Sequence, residues 1–281
     1  MIGQLVILGI SSGAIYALLA GGLVLVFNVT RIVNFTHGQW VIIGALTYCS
    51  LMESMGTLPA MVTAALITCI IGGLVYRFVI GWVAGASFVP QVMLTIALAF
   101  FTEGIALVIW GKEPRSAPPF SSGEPIAVFG TLISQQSLWV FGTMIVALAS
   151  IWVFLKYTLI GKAMNACAVN RMAARVVGIR PDYMGVVSFG MSGLLGAIAG
   201  FTYLPLQAME YNSGMAYTLK AFIAAIIGGM GSFGGAVLGG FALGIAESLG
   251  AGLIASGYKD TIGFLAMTAI IFYRVMRMST K

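Results

Sequence analysis

The sequence predicts an all-α polytopic membrane protein with about eight transmembrane segments. Only 8% of its 281 residues are charged and 60% are hydrophobic, whereas an ordinary soluble domain has about 25% charged residues. So few charges cannot cover the surface of a soluble protein, which excludes a soluble enzyme. Uncharged runs longer than the roughly 18 residues of a candidate spanning helix recur along the chain. They cover 1–30, 32–52, 54–76, 78–102, 125–155, 183–209 and 221–246.

These runs form one transmembrane domain over residues 1–281. They do not alternate polar and apolar residues, so an outer-membrane barrel is excluded. The hydrophobicity also excludes a disordered chain. We predict the first six spans at 4–28, 38–52, 59–76, 88–110, 137–156 and 184–208.

The charges between the spans predict the orientation. The loop 157–183 and the adjoining Lys156 carry five basic residues against Asp182 alone, and the positive-inside rule places such a loop in the cytoplasm. The loop 111–136 has no net charge and contains four prolines, which favours an irregular periplasmic loop. Alternation then places the N-terminus outside. The basic C-terminal tail belongs inside, which requires an odd number of crossings after Glu210.

A glycine-rich break explains how that odd number arises. Residues 228–235 read GGMGSFGG, and each glycine inside a helix costs about 1 kcal/mol relative to alanine. We therefore expect two shorter segments, about 216–228 and 234–250, with a broken or re-entrant backbone between them. Such a backbone survives at membrane depth only where protein or a water-filled cavity covers it. A last apolar block follows at 261–275.

A second break is predicted at 28–38, where polar residues interrupt two apolar runs. Interrupted segments in the two halves of a transporter indicate the permeation path. We therefore predict that both breaks, together with a carboxylate deep in a later run, line or gate a passage. The residues concerned are Asn28, Asn34, His37, Gly229, Gly231, Ser232 and Glu247.

Two motifs resemble known sites but lack the context that those sites need. Residues 229–234 spell GxGxxG, yet membrane-length apolar runs flank the motif instead of the strand that a nucleotide site requires. Ser192 lies in a GxSG sequence, but the single histidine, His37, precedes it on a distant span, and a serine nucleophile needs a base. We interpret the first motif as a helix break. Ser192 and the glycines around it are interpreted as a packing face.

Three charged residues interrupt the apolar runs. Glu103, Lys220 and Glu247 are either functional groups or members of structural pairs, because an unpaired charge inside a membrane is costly. The sequence leaves both interpretations open. One histidine and three cysteines offer no recognisable metal site, and we predict no metal, no cofactor and no nucleic-acid partner.

A short amphipathic helix is predicted within the loop 157–183. Asn170 can cap it and Gly178 can end it, while Arg171 and Arg175 lie four residues apart on one face. Small apolar residues form the other face. This composition favours docking into a groove of a partner protein over resting on lipid headgroups.

Three stretches resemble the branched-chain amino acid ABC transporter permeases, most closely their Liv H-type subunit. GAIYALLAGGLVLVFNVTRIVNFTHG (13–38) resembles the opening of that family, and GKAMNACAVNRMAARVVGI (161–179) resembles its cytoplasmic ATPase-docking loop. KAFIAAIIGGMGSFGGAVLGG (220–240) resembles its glycine-rich signature. The three stretches keep the family's order along the whole chain.

The resemblance implies a transport subunit of the bacterial inner membrane that is not itself an enzyme. A second homologous permease would complete a heterodimeric pore, two cytoplasmic ATP-binding subunits would hydrolyse ATP, and a periplasmic protein would deliver the amino acid. Alternating access would be driven through the loop 158–182. The implied docking residues, with Arg171 added from the shared helix face, are Gly161, Lys162, Arg171, Ala174, Arg175 and Gly178.

Alternatives remain open from the sequence. Permeases of the same family carry urea, amides or aromatic acids. An ion-coupled secondary transporter would use Glu103 or Glu247 as its coupling carboxylate. An intramembrane enzyme would use Ser192.

Overall fold

A computed structural model describes residues 2–121, 123–128, 131–253, 261, 263–265, 268, 269 and 272 of the chain. These residues are mostly helical. The helices are α1 (Ile2–Thr30), α2 (Gln39–Met55), α3 (Thr57–Phe78), α4 (Phe88–Trp110), α5 (Gln135–Tyr157), α6 (Leu159–Val169), α7 (Arg171–Val176), α8 (Pro181–Tyr203), α9 (Gly214–Gly228) and α10 (Phe233–Leu253). A 3₁₀ turn, Ile80–Val83, follows α3, and two short antiparallel strands, β1 (Ile126–Val128) and β2 (Thr131–Ile133), precede α5.

The all-α membrane fold is confirmed, whereas the count of about eight spans is not. Among the described residues, six helices are long and apolar enough to cross a bilayer, namely α1, α3, α4, α5, α8 and α10. Helices α2 and α9 have 17 and 15 residues. At 1.5 Å per residue, α9 reaches only about 22 Å of the roughly 30 Å hydrocarbon layer. Most of the predicted block 261–275 and the whole basic tail lie outside the described residues.

Two predicted boundaries were wrong. The span 184–208 ends at Tyr203, because Pro205 has no N–H with which to continue the helix. The loop 111–136 ends earlier than predicted, since Ser134 caps α5 by accepting a hydrogen bond from the backbone N–H of Ser137. That loop is also not wholly irregular, because it contains the hairpin of β1 and β2.

Helix α1 forms the centre of the bundle, and every residue from 13 to 26 is buried. Helix α10 runs antiparallel to α1, and the two backbones touch where Gly13 faces Gly244. Helix α8 packs on α2 and α3 through the predicted small-residue face. A side chain at Gly196 would meet Trp40 at 2.6 Å, and one at Gly200 would overlap the Val41 carbonyl. That packing interpretation of the small residues is confirmed.

Helices α3, α4 and α5 form the outside of the bundle. Each buries a small part of its surface and exposes large apolar side chains, such as Leu66, Val108 and Val146. Exposed apolar surface of this length is what a helix facing lipid presents. The two helix breaks adjoin α1, α2, α9 and α10.

Candidate functional site

The first break lies at residues 31–38 between α1 and α2, within the predicted 28–38 but shorter, because α1 continues to Thr30. Arg31 begins it with φ of 63°, a left-handed conformation that is uncommon outside glycine. The Thr30 hydroxyl accepts a hydrogen bond from the N–H of Ile32, 3.2 Å away. The break is therefore an ordered structure that local hydrogen bonds hold.

The loop between α5 and α8 is attached to this break. The guanidinium of Arg31 donates to the carbonyl of Ala168 at 2.7 Å. In the other direction, Arg171 donates to the carbonyl of Thr30 at 3.4 Å. The arginines thus join the last residue of α1 to the region where α6 meets α7. A displacement of α6 and α7 would pull directly on the break.

The second break comprises residues 229–232, between α9 and α10, and it also matches the prediction. Gly229 has φ of 93°, and the Ser232 hydroxyl caps α10 by accepting from the N–H of Gly235. The amide of Asn28 donates to the carbonyl of Gly231 at 3.4 Å. The structure therefore brings the end of α1 and the glycine turn together. Reading the GxGxxG sequence as a helix break is confirmed.

The starts of α2 and α9 meet in the interior. The backbone N–H of Gly38 donates to the Thr218 hydroxyl at 2.8 Å, and that hydroxyl also donates to the carbonyl of Phe35 at 3.0 Å. The amide of Gln39 lies directly against Gly214. Gly38, Gln39, Gly214 and Thr218 are buried, and Phe35 is partly buried.

Several buried polar atoms near this contact have no hydrogen-bond partner among the described residues. They are Nδ2 of Asn34, both amide atoms of Gln39 and Nε1 of Trp40. An unpaired buried polar group costs about 1–3 kcal/mol. Such atoms are rare in folded proteins, so a group of them in one place distinguishes this region from the rest of the interior. Gln39, Trp40 and Thr218 were not predicted as site residues, although an uncharged polar residue such as Gln39 at the start of an apolar run is a recognisable signal.

His37 and Ser192 touch, contrary to the expectation that they lie far apart. Nδ1 of His37 lies 2.7 Å from the Ser192 hydroxyl, and Nε2 lies 2.8 Å from the carbonyl of Leu19. A carbonyl only accepts, so Nε2 carries the proton and Nδ1 accepts from Ser192. Both residues are fully buried. The pair ties the first break to α1 and α8 and is closed to any substrate in this conformation.

Replacing Ser192 with alanine is therefore expected to cost stability and not a chemical activity. The change leaves Nδ1 of the buried His37 without its donor, so we expect a loss of about 1–3 kcal/mol in the free energy of unfolding. Solute uptake should persist. A serine-reactive probe should leave the wild type unlabelled, and covalent labelling that Ser192→Ala abolishes would establish the enzyme alternative instead.

A buried charge cluster joins α1, α9 and α10. The ammonium group of Lys220 lies 2.9 Å and 3.1 Å from the two carboxylate oxygens of Glu247. The Tyr16 hydroxyl donates to the same carboxylate at 2.8 Å and accepts from Lys220 at 3.1 Å. Glu247 is 1% exposed. Of the two interpretations that the sequence left open, a structural pair accounts for this geometry.

Glu103 lies apart from that cluster. Its side chain is half-buried on α4, an outer helix, and it makes no hydrogen bond or ion pair with the residues that the structure describes. Lys220 and Tyr16 were not predicted as partners of Glu247. Their sequence separations of 27 and 231 residues leave no local pattern from which to find them.

The amphipathic helix in the loop is confirmed as α7. The Asn170 side chain accepts from the N–H groups of Met172 and Ala173 and so caps the helix, and Gly178 ends it with φ of 88°. A further helix, α6, occupies the preceding residues and was not predicted. Thr158 caps it by accepting from the N–H of Gly161.

The predicted docking residues occupy different environments. Gly161 and Ala174 are buried, Arg171 is partly buried and bonded to the bundle, and Gly178 forms the helix end. Lys162 and Arg175 are exposed. The most exposed large apolar side chains of this loop are others, namely Leu159, Val169, Met172, Val176 and Val177. The outward surface thus combines these apolar side chains with Lys162 and Arg175, while Arg171 turns toward the bundle.

The residues predicted to line the passage also differ in their exposure to solvent. Gly231 and Ser232 are exposed, and Asn28 and Gly229 are partly buried. Asn34, His37 and Glu247 are buried. In this conformation the last three are closed to solvent, so the described residues form a packed rather than an open arrangement.

Known proteins resemble the chain over nearly its whole length. Residues 5–277 match the family described as the permease component of branched-chain amino acid transport systems. The high-affinity branched-chain amino acid transport system permease protein BraD of Pseudomonas aeruginosa is 27% identical, over 96% of this chain and 93% of that protein. The corresponding protein LivH of Escherichia coli K12 is 25% identical, over 94% of this chain and 90% of that protein.

One solved structure also resembles the fold. PsaBC from Streptococcus pneumoniae, in complex with a Fab, matches with a TM-score of 0.49 and 12% identity. The match covers 96% of this chain and 89% of that one.

Proposed function

The chain belongs to the family of permease components of branched-chain amino acid transport systems, and from this premise we propose that it imports hydrophobic amino acids by ATP-driven alternating access. It would form a pore with a second, homologous permease in the bacterial inner membrane. Two cytoplasmic ATP-binding subunits would supply the energy, and a periplasmic binding protein would deliver the solute. The N-terminus would lie outside and the C-terminus inside. Urea, amides and aromatic acids are not favoured as solutes, because the relatives above are named for branched-chain amino acids.

The observation that carries the coupling proposal is the pair of hydrogen bonds between the loop and the first break. Arg31 reaches Ala168, and Arg171 reaches Thr30. A partner that docks on α6 and α7 would therefore move the end of α1 without an intermediate element. The contact between Asn28 and Gly231 would pass that movement to the second break.

The proposed ATPase-docking surface includes the exposed apolar side chains of the loop together with Lys162. Val176 is 87% exposed on α7, and burying an exposed valine side chain in an interface is favourable by about 2 kcal/mol. Gly161, Ala174 and Gly178 would shape this surface without contacting the partner, since they are buried or serve a turn.

The proposed passage involves the region where the starts of α2 and α9 meet. Its buried polar atoms without partners, on Asn34, Gln39 and Trp40, would gain partners when the two helix starts separate. The N-terminal ends of half-helices inside the membrane carry a partial positive charge. They would suit the carboxylate of an amino acid in transit. His37 and Glu247 would hold the surrounding helices and would not contact the solute.

Two substitutions should separate docking from transmission. Val176→Asp places a charge in the docking surface, so we expect the ATPases to bind about thirtyfold more weakly and uptake to fall accordingly. Arg31→Asn removes the guanidinium while keeping a residue that tolerates a positive φ. It should retain the ATPases but lose most uptake. Pull-down from native membranes and ATP-driven uptake in proteoliposomes measure the two effects.

Leu132→Asp is the matched control. Leu132 is an exposed apolar residue in the hairpin, at the opposite end of α5 from the loop. This variant should resemble the wild type in both assays. Normal ATPase binding and uptake by Val176→Asp would refute the docking surface. Normal uptake by Arg31→Asn would refute transmission through the first break.

A further inference from the structure

A basic cavity lies where the end of α3, α7 and the start of α8 meet. Its volume is about 740 Å³, and Arg77, Arg175 and Arg180 line it. Among the described residues, none of these three guanidinium groups has a hydrogen-bond or ion-pair partner. Asp182 is the one acidic residue in the lining, and it already pairs with Arg171 at 3.4 Å. The cavity therefore carries a net positive charge that an anion would neutralise.

An apolar stripe on the outer surface of α3 leads to this cavity. Its members follow one another at four-residue steps, so each lies beside the next in a ridge that winds slowly around the helix. They are Leu58, Val62, Leu66, Ile70, Leu74 and Phe78, and all are exposed. Trp82, in the 3₁₀ turn beyond them, is 84% exposed. Tryptophan at the end of a lipid-facing surface is typical of the boundary between hydrocarbon and headgroups.

A second cavity connects the stripe to the basic site. Its volume is about 420 Å³, and its lining includes Phe78 and Trp82 on the apolar side and Arg77 and Asp182 on the polar side. Arg77 and Asp182 also line the first cavity. The surface thus continues from apolar groups on the flank of the bundle to unpaired arginines at its end.

We propose that this site binds an anionic phospholipid, with the headgroup phosphate among Arg77, Arg175 and Arg180 and an acyl chain along the α3 stripe. The guanidinium fork matches a phosphate bidentately and is less strongly hydrated than an ammonium group, which favours arginine at such a site. A soluble phosphate would gain nothing from the stripe. The lipid would bridge α3 to the start of α8 and brace the base of the loop.

The proposal does not rest on the transport function. The exposed apolar residues of α7, such as Val176, form the surface proposed for the ATPase, whereas the lipid would occupy the cavity beside Arg180. The binding experiment below uses the full chain alone and measures no transport. Its failure would leave the docking proposal untouched, and a failure of docking would leave this site untouched.

The test compares lipid binding in nanodiscs made mainly of phosphatidylcholine with a small fraction of phosphatidylglycerol. Native mass spectrometry of protein released from the discs counts the retained lipids of each kind. We expect the wild type to retain phosphatidylglycerol selectively. Each arginine near a headgroup contributes about a fivefold preference, so Arg77→Gln and Arg180→Gln should each weaken retention by about that factor.

Lys156→Gln is the control, because it removes one positive charge near the loop at a residue that does not line the cavity. It should keep the wild-type selectivity. Inorganic phosphate added to discs of pure phosphatidylcholine should not raise the midpoint of thermal unfolding, whereas phosphatidylglycerol should. If Arg77→Gln, Arg180→Gln and Lys156→Gln all lost the same amount of retained phosphatidylglycerol, general charge attraction would explain the binding. That result would overturn the proposed site. Stabilisation by phosphate alone would replace the lipid with a soluble anion.

Discussion

Replacing Gly38 with alanine is expected to destabilise the folded protein by about 3 kcal/mol or more, at the upper end of what overpacking costs. A β-carbon at this position would overlap the carbonyl oxygen of Gly214 and lie 2.6 Å from the backbone nitrogen of Thr218. Backbone atoms at a helix start cannot move aside as a flexible side chain can. The starts of α2 and α9 would separate, and the hydrogen bond between Gly38 and Thr218 would be lost. Unfolding of the purified protein in mild detergent measures this change.

Gly104→Ala and Gly142→Ala provide the controls for that substitution. Both glycines lie inside outer helices, and a β-carbon at either would have no neighbour within 4 Å. Alanine favours a helix over glycine by up to about 1 kcal/mol. The free energy of unfolding of these two variants should therefore equal that of the wild type or exceed it slightly. If Gly38→Ala had the same free energy of unfolding as these two controls, the close contact between α2 and α9 would be wrong.

The second large effect is expected for Glu247→Ala. Removing one member of a buried ion pair typically costs about 3–5 kcal/mol, since the remaining charge stays buried without compensation. Here Lys220 would lose both of its carboxylate contacts, and the Tyr16 hydroxyl would lose its acceptor. The lost contacts are those that join α1, α9 and α10. The free energy of unfolding in denaturant gives its size.

Two further variants test the reason for that loss. Glu103→Ala removes a carboxylate that has no partner among the described residues, so we expect a change below about 1 kcal/mol. The double variant Glu247→Leu with Lys220→Leu removes both charges and should recover much of the stability that Glu247→Ala loses. Purely additive losses would refute the pair. ATP-driven uptake by the double variant would also exclude Glu247 as an ion-coupling carboxylate.

Local features were the most predictable part of the fold. The glycine turn at 229–232 and the end of α7 at Gly178 depend on φ values that glycine adopts without strain. The cap by Asn170 depends on a side chain bonding N–H groups two and three residues away. These interactions act within one helical turn. Helix α6 was missed because polar and basic residues within it resemble a loop.

The candidate site was predictable only in part. The positions of the two breaks were predicted from the glycine and polar residues in the sequence, and the structure interrupts the helices at both places. The contact between His37 and Ser192 was not foreseen, because 155 residues separate them and neither lies in a pattern that points to the other. The exposed surface of α7 was also undetermined. A helical repeat reveals two faces but does not say which one the bundle covers.

The membrane-spanning character of this protein, the places where its helices break and the family that it resembles could all be predicted from the amino-acid order. Hydrophobicity, glycine content and helix caps act through the nearest residues or through the solvent, so no fold is needed to read them. The pairing of Lys220 with Glu247 and the contact of Arg31 with Ala168 could be found only from the packing of the helices. The same packing determines which arginines stay unpaired around the cavity. Such partners are chosen by how the helices pack, because a buried charge or hydrogen-bonding group must be satisfied by whatever the fold brings within about 3 Å.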